Sequence, residues 1–217
     1  MKIVIIGAHP DDPEAGCGGL AYKAVRDGHQ VDFLYVTNGD KGGVAPEGES
    51  LAEVREREAR DAAALCGAEP YFFRYGDQEL PFDPVSLSRM KEFLKDSRAD
   101  LILSHWPSDF HQDHQVCGVL ATQCIKSLEN TGLAFYEACI GRQTFGMTAN
   151  RYLDISDVVD VKHRMVECHK SQSPENFWWR HEVMHEWYGA LCGVARAEAY
   201  MLHVSTPMVE EFFLRGK

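Results

Sequence analysis

Lys2-Ile3-Val4-Ile5-Ile6-Gly7, followed at once by Ala8-His9-Pro10-Asp11-Asp12-Pro13-Glu14, is the stretch on which the reading of this chain turns. An aliphatic run without polar alternation is expected of a strand covered on both faces, as in a parallel sheet between helices. Ala15-Gly16-Cys17-Gly18-Gly19 continues the stretch. Glu14–Gly28 reads as a helix whose first turns the glycines weaken.

The same alternation runs outward from this unit. Gln30–Thr37 reads as a second strand, and Asn38–Ser50, rich in Gly, Asp and Pro, as a long mobile loop. Leu51–Cys66 is an alanine-rich helix stopped by Gly67. Tyr71–Tyr75 is a short strand, and Pro84–Ser97 a helix with Leu87, Met90, Phe93 and Leu94 on the helical period. Asp100–His105 is a fourth strand. After a turn at Pro107-Ser108-Asp109, a helix is expected from His111 to Ser127, and Leu133–Cys139 is a candidate fifth strand. Beyond Gly141 the signal weakens: Val158–His169 and His185–Tyr200 read as helical, and Met208–Leu214 fits either type. Without repeat or linker, this order predicts one α/β domain over 1–217 with a mostly parallel sheet.

Composition narrows the function. The 217 residues, 45% hydrophobic, suffice for one buried core. The net charge of -11 and the lack of any Lys/Arg-rich run speak against a nucleic-acid partner. No apolar stretch has transmembrane length, and the N-terminal run is too short for a signal peptide. Seven scattered cysteines without a CxxC pair fit a reducing compartment, so a cytoplasmic location is expected. They also give no support to a cysteine-based zinc site.

Two clusters carry chemistry. His9, Asp11, Asp12 and Glu14 begin two residues after the first strand, where ligands bind in open α/β sheets. His111, Asp113 and His114 follow the fourth strand, the two histidines three apart on one face of a helix start. If both strands run parallel, both clusters emerge at one sheet edge and can share a metal ion; imidazole and carboxylate suit zinc. Taken singly, Pro-Asp-Asp is a common turn and cap. The glycines could instead cradle a phosphate, although neither GxGxxG nor GxxxxGK[ST] is present.

On these residues the chain resembles the LmbE/PIG-L deacetylases. Ala8–Gly19, AHPDDPEAGCGG, is similar to the AHPDD…GCGG signature, and His111–Gly118, HQDHQVCG, to HPDHxxxG. Val36–Gly43, Val54–Glu69, Leu153–Gln172 and Ala195–Tyr200 resemble further family segments in the same order. The resemblance implies a Rossmann-like three-layer sandwich, one zinc ion per chain, and hydrolysis of an N-acetylglucosamine-type amide. It implies His9, Asp12 and His114 as ligands, Asp11 as general base, a protonated His111 beside the developing oxyanion, and Asp113 behind His111 orienting it. Arg55 matches the family arginine and is expected to contact substrate. Gln112 replaces the usual proline, and Asp109 stands where some relatives carry a tyrosine. The expected partner is a small amino-sugar; oligomeric state stays open, since relatives vary. Rival readings are a zinc amidase acting on thiol-sugar conjugates, a non-hydrolytic nucleotide-binding domain and a metal-binding regulatory protein. Asp40 and Asp77 are candidates for sugar hydroxyls or simple turn residues, and Trp178, Trp179 and Trp187 for sugar stacking or core packing.

Overall fold

Strand β1 (Lys2–Gly7) lies at the centre of the sheet. It pairs parallel with β2 (Gln30–Thr37), Ile3 opposite Val31, and with β4 (Leu101–His105), Ile3 opposite Leu101. Ile3 and Ile5 point to one face, against Cys17 and Leu20 of α1 (Asp12–Arg26) and Ala59 and Ala62 of α2 (Leu51–Cys66). Val4 and Ile6 point to the other, against Met90 and Leu94 of α3 (Pro84–Ser97) and Cys117 and Leu120 of α4 (Gln112–Ile125). Two apolar environments, one per face, are the reason β1 shows no polar alternation. The result is three layers, helix–sheet–helix. The computed structural model describes residues 1–138 and 146–215. Cys139 and residues 141–145 of the segment after Gly141 lie outside the described residues.

The sheet has seven strands in the order β3-β2-β1-β4-β5-β7-β6. Here β3 is Glu69–Tyr75, β5 Gly132–Tyr136, β6 Arg151–Asp154 and β7 Ala197–Val204. The first five are parallel, while β7 runs antiparallel to both β5 and β6. From β1 the chain builds outward through β2 and β3, then returns to β4 on the other side. That reversal opens a crevice beyond the carboxyl ends of β1 and β4. Helices α5 (Val159–Glu167), α6 (Trp178–Cys192) and α7 (Pro207–Arg215) complete the covering layers.

The helix expected over His185–Tyr200 is corrected by this arrangement. Gly193, at φ 83°, ends α6, and Ala197–Val204 forms β7 instead. Its pairing with β5 and β6 is a long-range contact that local periodicity does not register. The Met208–Leu214 stretch is helical, within α7.

The glycines of α1 serve close packing. A Cβ on Gly16 would overlap the Tyr136 ring, one on Gly18 would come 3.0 Å from Lys162 Cγ, and one on Gly19 2.5 Å from Ile155 Cγ2. The space beside them is filled by side chains, which removes the phosphate-cradle reading. Glu198, 2% exposed, fastens this contact. Its carboxylate accepts the Gly19 and Leu20 N–H groups at 2.8 and 2.7 Å and the Lys162 ammonium at 2.6 Å. Gly16→Ala is therefore expected to destabilise the fold by about 1–3 kcal/mol. Calorimetry should show a melting temperature several degrees lower; an unchanged value would contradict the packing role.

Candidate metal centre

Both chemical clusters emerge in the crevice between β1 and β4. The loop after β1 and the first turn of α1 supply His9 and Asp12, 8% and 6% exposed, and the first turn of α4, after β4, supplies His114, 3% exposed. Three of their donor atoms converge. His9 Nδ1 lies 3.3 Å from Asp12 Oδ2, His114 Nε2 lies 3.4 Å from the same oxygen, and the two nitrogens are 3.3 Å apart. Ligand atoms bound tetrahedrally at about 2.0–2.1 Å stand about 3.3–3.4 Å from one another. The three donors are spaced as one such ion requires.

Each histidine is oriented from its far nitrogen by a carboxylate. His9 Nε2 faces Asp113 Oδ2 at 3.2 Å and Asp77 Oδ1 at 3.4 Å. His114 Nδ1 faces Asp109 Oδ2 at 3.2 Å. These partners hold the proton on the outer nitrogen and turn the inner lone pair to the common point. Asp12 Oδ2 accepts the His9 N–H at 2.7 Å. His105, fully buried at the end of β4, stacks on His114 with ring centroids 3.9 Å apart and accepts the Ala8 N–H at 2.9 Å.

The electrostatics favour a cation at this point. Burial works to lower the His9 pKa, but hydrogen bonds to Asp113, Asp12 and Asp77 hold it well above the ordinary imidazole value. Burial likewise opposes charge on His114, yet Asp12 and Asp109 raise it to about 9. Burial pushes Asp12 up, but His114 and His105 overcome it and keep the carboxyl well below its usual range. What stabilises a proton between these groups also stabilises a metal ion.

Asp11 sits beside the centre in a backbone conformation rare for a side-chain-bearing residue, φ 139° and ψ -25°. Its carbonyl accepts the Ala15 N–H at 2.9 Å, opening α1. Arg55, 3% exposed, secures it: the guanidinium donates to Pro10 O at 2.6 Å and lies 3.1 Å from Asp11 Oδ2. The other amino group donates to Gly39 O at 3.0 Å and Gly42 O at 3.2 Å. Gly39, at φ 65°, leaves no Cβ in the way of this contact. Burial raises the Asp11 pKa, with Arg55 pulling against it.

Two expected roles change. The Asp113 carboxylate does not stand behind His111; it accepts from His9 and from the Gln78 N–H at 2.7 Å. His111 instead caps α4: its Nδ1 accepts the Asp113 N–H at 3.2 Å. Arg55, buried, commits its two amino groups to Asp11 and to the Pro10, Gly39 and Gly42 carbonyls. Burial lowers the His111 pKa, with the neighbouring His9 and His114 adding to it. Sequence reasoning gave Asp109 no role in the site and Asp77 only that of a sugar-hydroxyl or turn residue; their place just after β4 and β3 is the one signal that marks them. Asp40 accepts the Asp77 N–H at 3.1 Å. His169 and Glu14, both fully buried, pair at 3.3 Å behind Asp11. Of the tryptophans, Trp178 is in the core, whereas Trp179 and Trp187 are 55% and 58% exposed on α6.

Comparison with known proteins places this architecture. Residues 4–125 match the PIG-L family, GlcNAc-PI de-N-acetylase, and the chain belongs to that family. It is 29% identical over 216 residues to the diacetylchitobiose deacetylase of Thermococcus kodakarensis, covering 91% of this chain and 81% of that protein. It is 24% identical over 194 residues to the 4-oxalmesaconate hydratase of Pseudomonas putida, covering 81% and 74%. The solved structure of N,N'-diacetylchitobiose deacetylase from Pyrococcus horikoshii, in complex with an inhibitor, superposes with a TM-score of 0.81 at 24% identity, covering 97% of this chain and 88% of that one.

Replacing Arg55 tests its place under Asp11. Arg55→Met is expected to lower kcat at least about tenfold with KM within about twofold. A raised KM at unchanged kcat would return Arg55 to substrate binding.

Proposed function

We propose that the protein is a zinc-dependent N-deacetylase that hydrolyses the acetamido group of an N-acetylglucosamine-type sugar or its glycoside. The convergence of His9 Nδ1, Asp12 Oδ2 and His114 Nε2 at 3.3–3.4 Å carries this reading. Two imidazoles and a carboxylate form a donor set suited to zinc and leave a fourth position open. Zinc bound there supplies a Lewis acid for the amide carbonyl and acidifies a water molecule.

The remaining work falls to the chain. Asp11 is adjacent to Asp12 in sequence, and its Oδ2 lies 3.1 Å from the Arg55 guanidinium. It acts as general base, taking the proton of the attacking water at a carboxylate oxygen, and returns that proton to the amide nitrogen as the C–N bond breaks, so that acetate and the free amine leave. The raised pKa that burial gives it improves that base. His111 lies with its ring centroid 4.6 Å from His9 and 4.9 Å from His114. Because Nδ1 accepts the Asp113 N–H, the proton of the neutral ring is on Nε2. That N–H donates to the developing oxyanion without requiring a charged ring. Asp113 and Asp109 keep the two ligand imidazoles aimed.

The test is acetate release from N-acetylglucosamine glycosides, which a chelator should abolish and zinc restore. Asp11→Asn, chosen because Asn tolerates positive φ, should keep the metal and lose about 10²–10⁴ in kcat. His114→Ala should lose the metal. Near-normal turnover by Asp11→Asn, or full metal content in His114→Ala, would refute these roles. Water addition to an unsaturated acid without acetate release would refute the reaction class.

A further inference from the structure

Helix α6 has two apolar faces, and only one of them is covered. Trp178, His181, His185 and Gly189 are buried against the rest of the chain. On the opposite side Trp179, Val183, Trp187 and Leu191 stand four residues apart, each more than half exposed. At that spacing they form a single ridge along the helix. A helix that covers one core keeps polar residues on its outward face. In α6 the inward face holds two histidines, while the outward face holds two tryptophans. Tryptophan is enriched at the buried centres of protein interfaces. The outward face of α6 has the composition of a surface that is covered in use.

We propose that this ridge is the contact surface for a second copy of the same chain. Area, shape and charge select that occupant. At their exposures the four side chains offer roughly 400 Å² of apolar surface per chain, so two ridges bury roughly 800 Å². An interface of ordinary size, about 1,600 Å², contains about 900 Å² of apolar surface. The paired ridges therefore supply most of what a stable dimer needs. Val183, the smallest of the four, leaves a dip between Trp179 and Trp187. With a twofold axis passing between Val183 and Trp187, the Trp187 ring of each copy seats on Val183 of the other, as an isologous contact requires. A helix that lies on a lipid surface carries Lys and Arg beside its apolar stripe. Helix α6 has Arg180 alone against Glu182 and Glu186, and the chain has a net charge of -11, which disfavours an anionic membrane. Glu186 is neutralised by Arg196 at 2.9 Å. Arg180 and Glu182 balance one another, so two copies meet at this helix without net charge between them.

The experiment is sedimentation equilibrium of the full chain across the micromolar range at physiological ionic strength. A two-chain species is expected, with a Kd in the micromolar range or tighter. Val183→Glu and Trp187→Glu each set a charge in the contact without touching the buried face of α6. Each is expected to raise Kd at least about thirtyfold, with far-UV circular dichroism unchanged. Acrylamide quenching of tryptophan fluorescence should fall as the unaltered chain associates, because Trp179 and Trp187 become covered, and should stay constant with concentration in Val183→Glu. A larger assembly that each variant cuts to half its number of chains contains the same pair and supports it. A monomer at the highest concentration would overturn the proposal, as would association that both folded variants leave intact. Binding of monomers to phosphatidylcholine vesicles, abolished by Val183→Glu, would give the ridge to lipid and overturn it as well.

Discussion

Three lone-pair donors held 3.3–3.4 Å apart repel one another unless something positive sits between them. That requirement organises the centre of this protein. His9 and His114 are each pinned from behind by a carboxylate, so neither ring is positioned to rotate and relieve the crowding. Asp12 is fixed by the His9 backbone N–H. A buried set of this kind is costly without a cation and stable with one. The neighbouring Asp77 and Asp113 add to the demand, since both press negative charge on the far side of His9.

The fold supplies the convergence. Because the chain leaves β1 in one direction and returns to β4 in the other, the loops after these strands share one crevice. Tyr136, seated where Gly16 leaves room, donates to Ile6 O at 2.8 Å and touches His105 at 3.3 Å, tying β5 to the site. The strained backbone of Asp11 is retained because Arg55 and the start of α1 hold it from both sides. Strain at such a position is a feature of sites where a side chain must be presented in one orientation.

Much of this was legible in the sequence. The aliphatic β1 and the strand–helix alternation through β5 are local signals, and the two His/Asp clusters follow directly behind strands. The resemblance of Ala8–Gly19 and His111–Gly118 to family signatures assigned the ligands, and the structure brings His9, Asp12 and His114 to one point. What was not legible depends on distant contacts. Strand β7 exists because β5 and β6 offer it partners, so its first half, Ala197–Tyr200, reads locally as the end of a helix. Asp113 is next to His114 in sequence but serves His9, 104 residues away. Arg55 was read as facing substrate because only the folded loop shows Pro10, Gly39 and Gly42 occupying its donors.

The most direct test of the centre is anomalous X-ray diffraction from crystals grown with zinc, recorded at the zinc edge. The expected result is one peak per chain, within about 2.0–2.2 Å of His9 Nδ1, Asp12 Oδ2 and His114 Nε2. A peak held instead by Asp77 and Asp113, or no peak in this crevice, would contradict it.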